Sequence, residues 1–220
     1  MNMKIMDLPR NTVTMIMAGG KGQRLRPLTD DRSKPGVPFG ALYRIIDFTL
    51  SNVWNSGLRH IYILTQYKSY SLDKHLLKGW QIFNHEVGEY LYGIPPQLRV
   101  GDNWYQGTAD AIYQNIYLLE REKPDYGLIL SGDHIYRMDY STLLVLHSRR
   151  NARLTLGAVV VPKEEAHEFG ILEVDEQGWV VGFEEKPENP KTVPGRPDLC
   201  LVNMGVYVFE PKVLVDLLGD

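Results

Sequence analysis

Four charged side chains at widely separated positions are of the types that bind phosphate groups and a metal ion. Arg24 and Lys34 lie in or just after the glycine-rich segment AGGKGQR, Asp133 follows the apolar run YGLILS, and Lys186 lies in the segment FEEKP. Arg can bind a phosphate group through two parallel N–H donors, and Lys neutralises it as a point charge. A carboxylate supplies the oxygen ligands that Mg²⁺ prefers. These residue types indicate chemistry on phosphorylated substrates, provided that the fold brings them together.

The glycine-rich segment is suited to contact with phosphate because glycines let backbone N–H groups approach oxygen atoms closely. It matches neither G-x-x-x-x-G-K-[ST] nor G-x-G-x-x-G, which argues against a P-loop NTPase and against a dinucleotide-dependent oxidoreductase. Glycine-rich turns are common, so a tight turn flanked by solvated cations is the alternative interpretation. The segment alone does not decide between the two.

The other motifs also have structural alternatives. Asp133, in SGDH at the end of an apolar run, is placed to hold Mg²⁺, or it caps the next turn. Lys186 could bind a sugar phosphate while a neighbouring carboxylate accepts sugar hydroxyls, or it lies on a solvated strand end. WYQGTADA offers an aromatic surface beside a helix N-terminus, or packs as an ordinary loop. His134 is assigned no role.

Composition places the chain among ordinary soluble globular proteins. Its 220 residues are 44% hydrophobic and 23% charged, which suits one domain, and the net charge of −3 provides no basic field for nucleic acid or an anionic membrane. No run approaches the roughly 20 apolar residues of a membrane span, and no secretory signal is recognisable, so we expect a cytoplasmic protein. The single cysteine, Cys200, excludes a disulfide framework and is expected to be buried in a strand.

The elements that must position these residues alternate between strands and helices. Apolar β-rich runs predict strands at 12–17, 60–65, 126–131, 152–161 and 200–209, and a hairpin of 171–175 and 179–184. Helical spacing predicts a helix at 46–54 that is followed by Gly57, and one at 72–80 that Ser69 or Ser71 caps. A third helix is predicted from the cap Thr108 to Pro124. Two more are predicted around 143–147 and from Pro211. Residues 82–106 are predicted to form a long loop with one short strand.

This alternation predicts an α/β fold with a mostly parallel, doubly wound sheet. Ligands of such sheets bind beyond the carboxyl ends of the strands. That rule selects the loops after Met17 and after Leu130, and the stretch that leads to Lys186.

Taken together, the motifs resemble the glucose-1-phosphate adenylyltransferases (ADP-glucose pyrophosphorylases) of bacterial glycogen synthesis. The resemblance extends from about Val13 to Phe209 and includes AGGKGQRLRPLT, RSKPGVPFGALYRIIDFTLSN, WYQGTADA, SGDHIYRMDY, FEEKP and NMGVYVF. It implies the Rossmann-like fold of the nucleotide-diphospho-sugar transferases. The narrower motifs, VPFG and WYQGTADA among them, favour the ADP-glucose branch.

The resemblance also implies roles for individual residues. Arg24 and Lys34 would neutralise the phosphates of ATP, and Asp133 would be the catalytic residue that holds Mg²⁺. The other implied positions are the nucleotide-binding residues Ala18, Gly19, Gly20, Gln97 and Tyr105, the sugar-phosphate-binding residues Gly170, Glu185, Lys186 and Asn203, and the effector positions Arg32 and Arg44. Many family members have Ser where Asn203 stands, and Asn can also hydrogen-bond a sugar hydroxyl.

The implied reaction is an in-line attack of glucose 1-phosphate on the α-phosphorus of ATP, which gives ADP-glucose and pyrophosphate. A uridylyl- or thymidylyltransferase and a non-catalytic regulatory paralogue are the alternatives. Family members continue into a second metal-binding aspartate and a left-handed β-helix domain and form tetramers. We therefore expect that residues 1–220 are a catalytic domain truncated at its C-terminus, and that the full-length protein is a homotetramer.

Overall fold

The computed structural model describes residues 7–97 and 105–219. Contacts between residues divide this part of the chain into two compact units. The first unit contains the described residues up to Thr155 together with those from Tyr207 onward, and the second unit is Leu156–Val206.

The first unit is built on a parallel sheet. Its strands are β1 (Thr12–Met17), β4 (His60–Leu64), β5 (Tyr90–Ile94) and β6 (Tyr126–Ser131), in the order β5–β4–β1–β6. The register pairs Met17 with both Leu64 and Ser131, so β1, β4 and β6 end at the same level. This alignment brings the segments that come after these three strands to one edge of the sheet, as the sequence predicts.

Helices accompany this sheet. They are α1 (Ile45–Asn55), α2 (Tyr70–Gly79), α3 (Thr108–Tyr113), α4 (Tyr117–Glu122), α5 (Tyr140–Arg150) and α6 (Pro211–Gly219). A two-stranded hairpin of β2 (Pro38–Phe39) and β3 (Tyr43–Arg44) precedes α1. Gly57 has a φ of 78° just beyond α1, which confirms its predicted place after the helix. The mostly parallel α/β fold is also confirmed.

The predictions for the helix that begins near Thr108 were partly wrong. Thr108 is the first helical residue and Gly107 is the N-cap, without a side-chain cap. The predicted single helix is two helices because Asn115 interrupts it: its side-chain amide donates to Ala111 O at 2.8 Å, while its backbone N–H bonds Ile112 O. Ser69 is the N-cap of α2, but its side chain makes no capping hydrogen bond.

The second unit contains antiparallel strand pairs. They involve β8 (Gly170–Val174), β9 (Val180–Glu185) and β10 (Leu199–Phe209), with β8 between the other two. Strand β7 (Leu154–Pro162) pairs with β10. The predicted hairpin of β8 and β9 is confirmed, and its turn has Gly178 at a φ of 81°.

Each unit has its own buried apolar cluster. In the first unit the cluster is formed by the strands and the helices that cover them, with Met15, Tyr62, Leu119 and Ile129 nearly inaccessible. In the second unit it contains Cys200, which is fully buried as predicted. No helix within the described residues is both long enough and apolar enough to cross a membrane.

Candidate active site

A cleft opens in the first unit where β1, β4 and β6 end. It has a volume of about 260 Å³, just under the roughly 300–1,000 Å³ of typical small-molecule pockets. The strand ends contribute Met17, Leu64 and Ser131. The remaining lining residues are Gly19, Gly20, Pro35, Gln66, Tyr105, Gly107, Thr108, Ala111 and Asp133. The cleft therefore occupies the place where parallel α/β sheets bind ligands.

Lys34 and Asp133 meet at this edge of the sheet although they are 99 residues apart in the sequence. The Lys34 ammonium donates to Asp133 Oδ2 at 2.9 Å, and both side chains are partly exposed. The second carboxylate oxygen of Asp133 accepts a hydrogen bond from the Ser131 hydroxyl. His134 Nε2 lies 3.6 Å from the same oxygen. Asp133 thus belongs to a cluster with Lys34, Ser131 and His134, and its role as a metal ligand stays a prediction.

The environment of Asp133 favours the ionised carboxylate. Burial alone would raise the pKa of Asp133, but the hydrogen bonds from Ser131 and Lys34 and the charges of Lys34 and His134 outweigh it, so that the pKa lies below its ordinary value. The site therefore presents a fixed negative charge beside a fixed positive one. The negative charge suits a metal ion as ligand, and the positive charge suits a phosphate group.

The glycine-rich loop packs directly against Lys34. Gly22 has a φ of 61°, and a Cβ added there would lie 2.8 Å from Lys34 Cβ and 3.0 Å from the Thr29 side chain. Thr29 donates its hydroxyl hydrogen to Gly22 O, and the Lys34 N–H donates to Gly20 O at 3.1 Å. Glycine at position 22 is therefore required by both the backbone angle and the close contact. The interpretation as a simple solvated turn does not account for this packing.

Tyr105 forms another wall of the cleft and is held at two points. Its hydroxyl accepts a hydrogen bond from Asn115 Nδ2 at 2.9 Å, and its backbone carbonyl accepts one from Gln66 Nε2 at 3.2 Å. Burial raises the pKa of Tyr105, so the phenol remains neutral. Gln66 also lies against Gly19, where an added Cβ would come within 2.9 Å of Gln66 Cβ.

Gln66, Ser131 and Asn115 were not predicted from the sequence as residues of the site. Gln66 could have been found, since it comes after β4 and the rule about carboxyl ends of strands applies to β4 as it does to β1 and β6. Ser131 lies immediately before the Gly-Asp pair that was selected. Asn115 gives no signal in the sequence, because its role depends on the break between α3 and α4.

Three predicted nucleotide-site residues stand apart from this set. Arg24 is exposed in a 3₁₀ turn at Gln23–Leu25, and Ala18 is buried at the end of β1 without lining the cleft. Gln97 is exposed, and its amide donates to Pro95 O at 2.9 Å. It is not among the described residues that line the cleft, and residues 98–104 lie outside the described part of the chain. The roles of all three stay predictions.

The predicted effector residues Arg32 and Arg44 lie close together. Burial lowers the pKa of Arg44, the Arg32 charge lowers it further, and Asp47 opposes them. Arg44 donates from Nη1 to Gly36 O at 2.7 Å and to Ser71 Oγ at 2.6 Å. Arg32 Nε is buried without a hydrogen-bond partner among the described residues. Their effector role stays a prediction.

In the second unit, the predicted sugar-phosphate residues lie on neighbouring strands. Gly170 of β8 pairs with Glu185 of β9, and the pairing of Val202 with Ile171 brings the next residue, Asn203, to the level of Gly170. A Cβ at Gly170 would lie 3.0 Å from Glu185 Oε2 and 2.8 Å from the Phe183 ring.

Lys186 comes directly after β9 and is exposed. Its φ of 47° is unusual for a residue with a side chain, and its N–H donates to Phe169 O. The grouping of Gly170, Glu185, Lys186 and Asn203 is thus present within this unit.

The Asp133 cluster fits one type of magnesium site. Within the described residues no group of three His, Cys, Asp or Glu side chains could hold a metal ion. A single ionised carboxylate suits Mg²⁺ that is otherwise bound by water and substrate phosphates, which is its usual mode in phosphoryl-transfer enzymes. Asp133 is therefore the residue that would hold such an ion.

Comparison with known proteins agrees with the geometry. The family described as nucleotidyl transferase matches residues 13–220. A glucose-1-phosphate adenylyltransferase of Rhodopirellula baltica is 53% identical over 212 residues, which are 96% of this chain and 48% of that protein. Glucose-1-phosphate adenylyltransferase 2 of Vibrio vulnificus strain CMCP6 is 56% identical over 93% of this chain and 51% of its own length. A glucose-1-phosphate adenylyltransferase from Dechloromonas aromatica is 49% identical over 97% and 49%, respectively. The chain thus spans about half the length of the curated relatives it matches.

The packing of the loop on Lys34 predicts that Gly22→Ala destabilises the protein. We expect a loss of about 1–3 kcal/mol in the free energy of unfolding, because alanine is strained at this φ and its methyl group would displace Lys34. Urea denaturation measures the loss. Gly20→Ala is the matched control: a Cβ there meets nothing within 4 Å, so its unfolding free energy should change by less than about 0.5 kcal/mol. Equal effects of the two substitutions would show that the contact with Lys34 is not what requires glycine.

Proposed function

This chain belongs to the nucleotidyl transferase family, and we propose that the protein transfers the adenylyl group of ATP to glucose 1-phosphate, giving ADP-glucose and pyrophosphate. The observation that carries the proposal is the 2.9 Å contact between Lys34 and Asp133, whose carboxylate lines a cleft at the carboxyl ends of parallel strands. The choice of ATP and glucose 1-phosphate is supported by relatives named glucose-1-phosphate adenylyltransferase that are 49–56% identical to the chain.

In the proposed reaction an oxygen of the glucose 1-phosphate phosphate attacks the α-phosphorus of ATP. One P–O bond forms to this oxygen, and the bond between the α-phosphorus and the oxygen bridging to the β-phosphate breaks, so that pyrophosphate leaves with the electron pair. The nucleophile is already an anion and needs no general base. Catalysis then consists mainly of alignment and of neutralisation of charge on the phosphates.

The protein's own residues supply both contributions. The backbone of Gly19 and Gly20 faces the cleft and is free of side chains that would keep phosphates away. Lys34 offers an ammonium group that can exchange its contact with Asp133 for one with a phosphate, and Arg24 is the second cation of the loop. Asp133 would hold Mg²⁺, which supplies positive charge to the phosphates when it is bound.

The remaining assignments complete the proposal. Tyr105 lines the nucleotide site and Gln97 recognises the base. Gly170, Glu185, Lys186 and Asn203 bind glucose 1-phosphate. Arg32 and Arg44 belong to an effector site. We propose a cytoplasmic enzyme of glycogen synthesis that forms tetramers. The pathway and the tetramer rest on the resemblance of the motifs to the bacterial adenylyltransferases, and the location rests on the sequence, in which no membrane span or secretory signal is recognisable.

Nucleotide choice tests the function. Purified full-length protein is incubated with glucose 1-phosphate, Mg²⁺ and either ATP, UTP or dTTP, and the release of pyrophosphate is measured. We expect ATP to give the highest kcat/KM. A preference for UTP or dTTP would identify a uridylyl- or thymidylyltransferase instead. Binding of ATP without turnover of any nucleotide would identify a non-catalytic regulatory protein.

Asp133→Asn should lower kcat by roughly 10²–10³ or more, the usual effect of removing one electrostatic stabiliser from an active site. The amide keeps the size of the side chain but loses the charge that would attract Mg²⁺. Steady-state kinetics at saturating substrates measure the change. Asp139→Asn is the matched control, since Asp139 caps α5 and asparagine caps helices equally well. Near-normal turnover of Asp133→Asn would show that the metal is held elsewhere.

Lys186→Ala should chiefly raise the KM for glucose 1-phosphate, because the substitution removes the ammonium assigned to the sugar phosphate. Initial rates measured while each substrate is varied in turn separate the two KM values. Lys191→Ala, which removes an exposed lysine from the next loop, is the control and should leave both values unchanged. An effect confined to the KM for ATP would contradict the assigned role.

A further inference from the structure

Asp47 is a buried carboxylate that the proposed reaction does not use. It lies in the first turn of α1 and is 6% exposed. Oδ2 accepts the Arg44 N–H at 2.7 Å, Oδ1 accepts the Trp80 indole N–H at 2.8 Å, and His75 Nε2 lies 2.8 Å from both oxygens. His75 belongs to α2, and Trp80 comes directly after that helix. Asp47 thus joins the beginning of α1 to the end of α2.

Arg44 extends this connection to the turn that carries Lys34. Its backbone is fixed by Asp47, while its guanidinium group donates to Gly36 O and to Ser71 Oγ of α2. A Cβ at Gly36 would be 3.6 Å from Arg44 Nη1 and from Leu72 Cβ, so the turn is packed against Arg44 and α2. The 3₁₀ turn Lys34–Gly36 therefore rests on the two elements that Asp47 holds together.

The position of this turn determines where the Lys34 ammonium can lie. The Lys34 side chain is long and flexible, so its contact with Asp133 depends on a fixed backbone. A buried carboxylate with polar partners is seldom more stabilising than well-packed apolar residues, so it is weak evidence for a role in stability alone. The hydrogen bonds of Asp47 instead fix the positions of Arg44, His75 and Trp80 relative to one another.

We propose that Asp47, with His75 and Trp80, positions Lys34 for the proposed adenylyl transfer. Asp47 acts through Arg44 and the 34–36 turn and touches neither substrate. The inference rests on the proposed function as far as catalysis is concerned. Its structural part, the control of the Lys34 turn, can be measured without any reaction.

The experiment compares His75→Leu, which removes one of the three donors to Asp47, with His75→Gln, whose amide can still donate. In His75→Leu we expect kcat to fall about tenfold or more, with a smaller change in the KM for glucose 1-phosphate, because small misplacements of a catalytic group reduce the rate steeply. His75→Gln should recover most of kcat. Trp80→Phe removes only the indole N–H donor to Asp47 and should give an intermediate kcat. It replaces His75→Leu in the experiment if that variant does not fold.

Hydrogen–deuterium exchange of the peptide covering residues 33–38 supplies the readout that needs no activity. Exchange should be faster in His75→Leu and near normal in His75→Gln, since the N–H groups of Lys34, Gly36 and Val37 bond to other backbone atoms. Tyr62→Phe is the control for general destabilisation, because it removes a hydrogen bond to Glu122 at a place not connected to Lys34. It should lower the melting temperature without changing kcat or this exchange.

Each outcome decides a different point. Unchanged exchange in His75→Leu and Trp80→Phe would overturn the positioning of the turn, whether or not the protein is active. Faster exchange with normal kcat would overturn its importance for catalysis. If the wild-type protein makes no ADP-glucose while His75→Leu still exchanges faster, the proposed function is refuted but the control of the turn is intact.

Discussion

The ion pair between Lys34 and Asp133 is the interaction on which the site depends. It connects the end of the glycine-rich loop after β1 to the loop after β6, and both loops leave the sheet at the same level because Met17 pairs with Ser131. Burial disfavours the charge of Asp133, and the hydrogen bonds from Ser131 and Lys34 offset this cost. The pair therefore places a negative and a positive charge at this edge of the sheet, and its carboxylate lines the cleft.

Much of the fold could be predicted from the sequence because apolar periodicity and strand ends are local signals. Strand β1 was predicted with its observed bounds, and the meeting of Lys34 with Asp133 was inferred from the rule that ligands bind beyond the carboxyl ends of parallel strands. The break between α3 and α4 was not predictable in this way. The apolar spacing continues through it, whereas at the break the Asn115 side chain bonds to Ala111 O and the backbone N–H of Asn115 bonds to Ile112 O.

The same limit applies to the site. Gln66 and Asn115 hold Tyr105 through hydrogen bonds from different elements. The place of Gln66 at the sheet edge follows from its position after β4, but neither hydrogen bond has a signature in sequence spacing. The resemblance assigned Gln97 to the nucleotide, and this role stays a prediction; in the structure its amide donates to Pro95 O. The motifs identified residues assigned to the ligands, such as Tyr105. The residues that hold these in place, such as Gln66 and Asn115, were identified from contacts in the structure.

Lys186 combines a positive charge with a left-handed backbone. Glycine adopts this conformation without strain, so Lys186→Gly would remove a strain of about 1 kcal/mol or more from the folded protein. The residue that fits this backbone best therefore has no amine. The hydrogen bond from its N–H to Phe169 O helps to keep the lysine in place. Stability and the proposed binding of glucose 1-phosphate therefore have opposite preferences at this residue. Selection for heat resistance would therefore favour glycine at position 186, and the more stable variant would lack the ammonium group of the lysine.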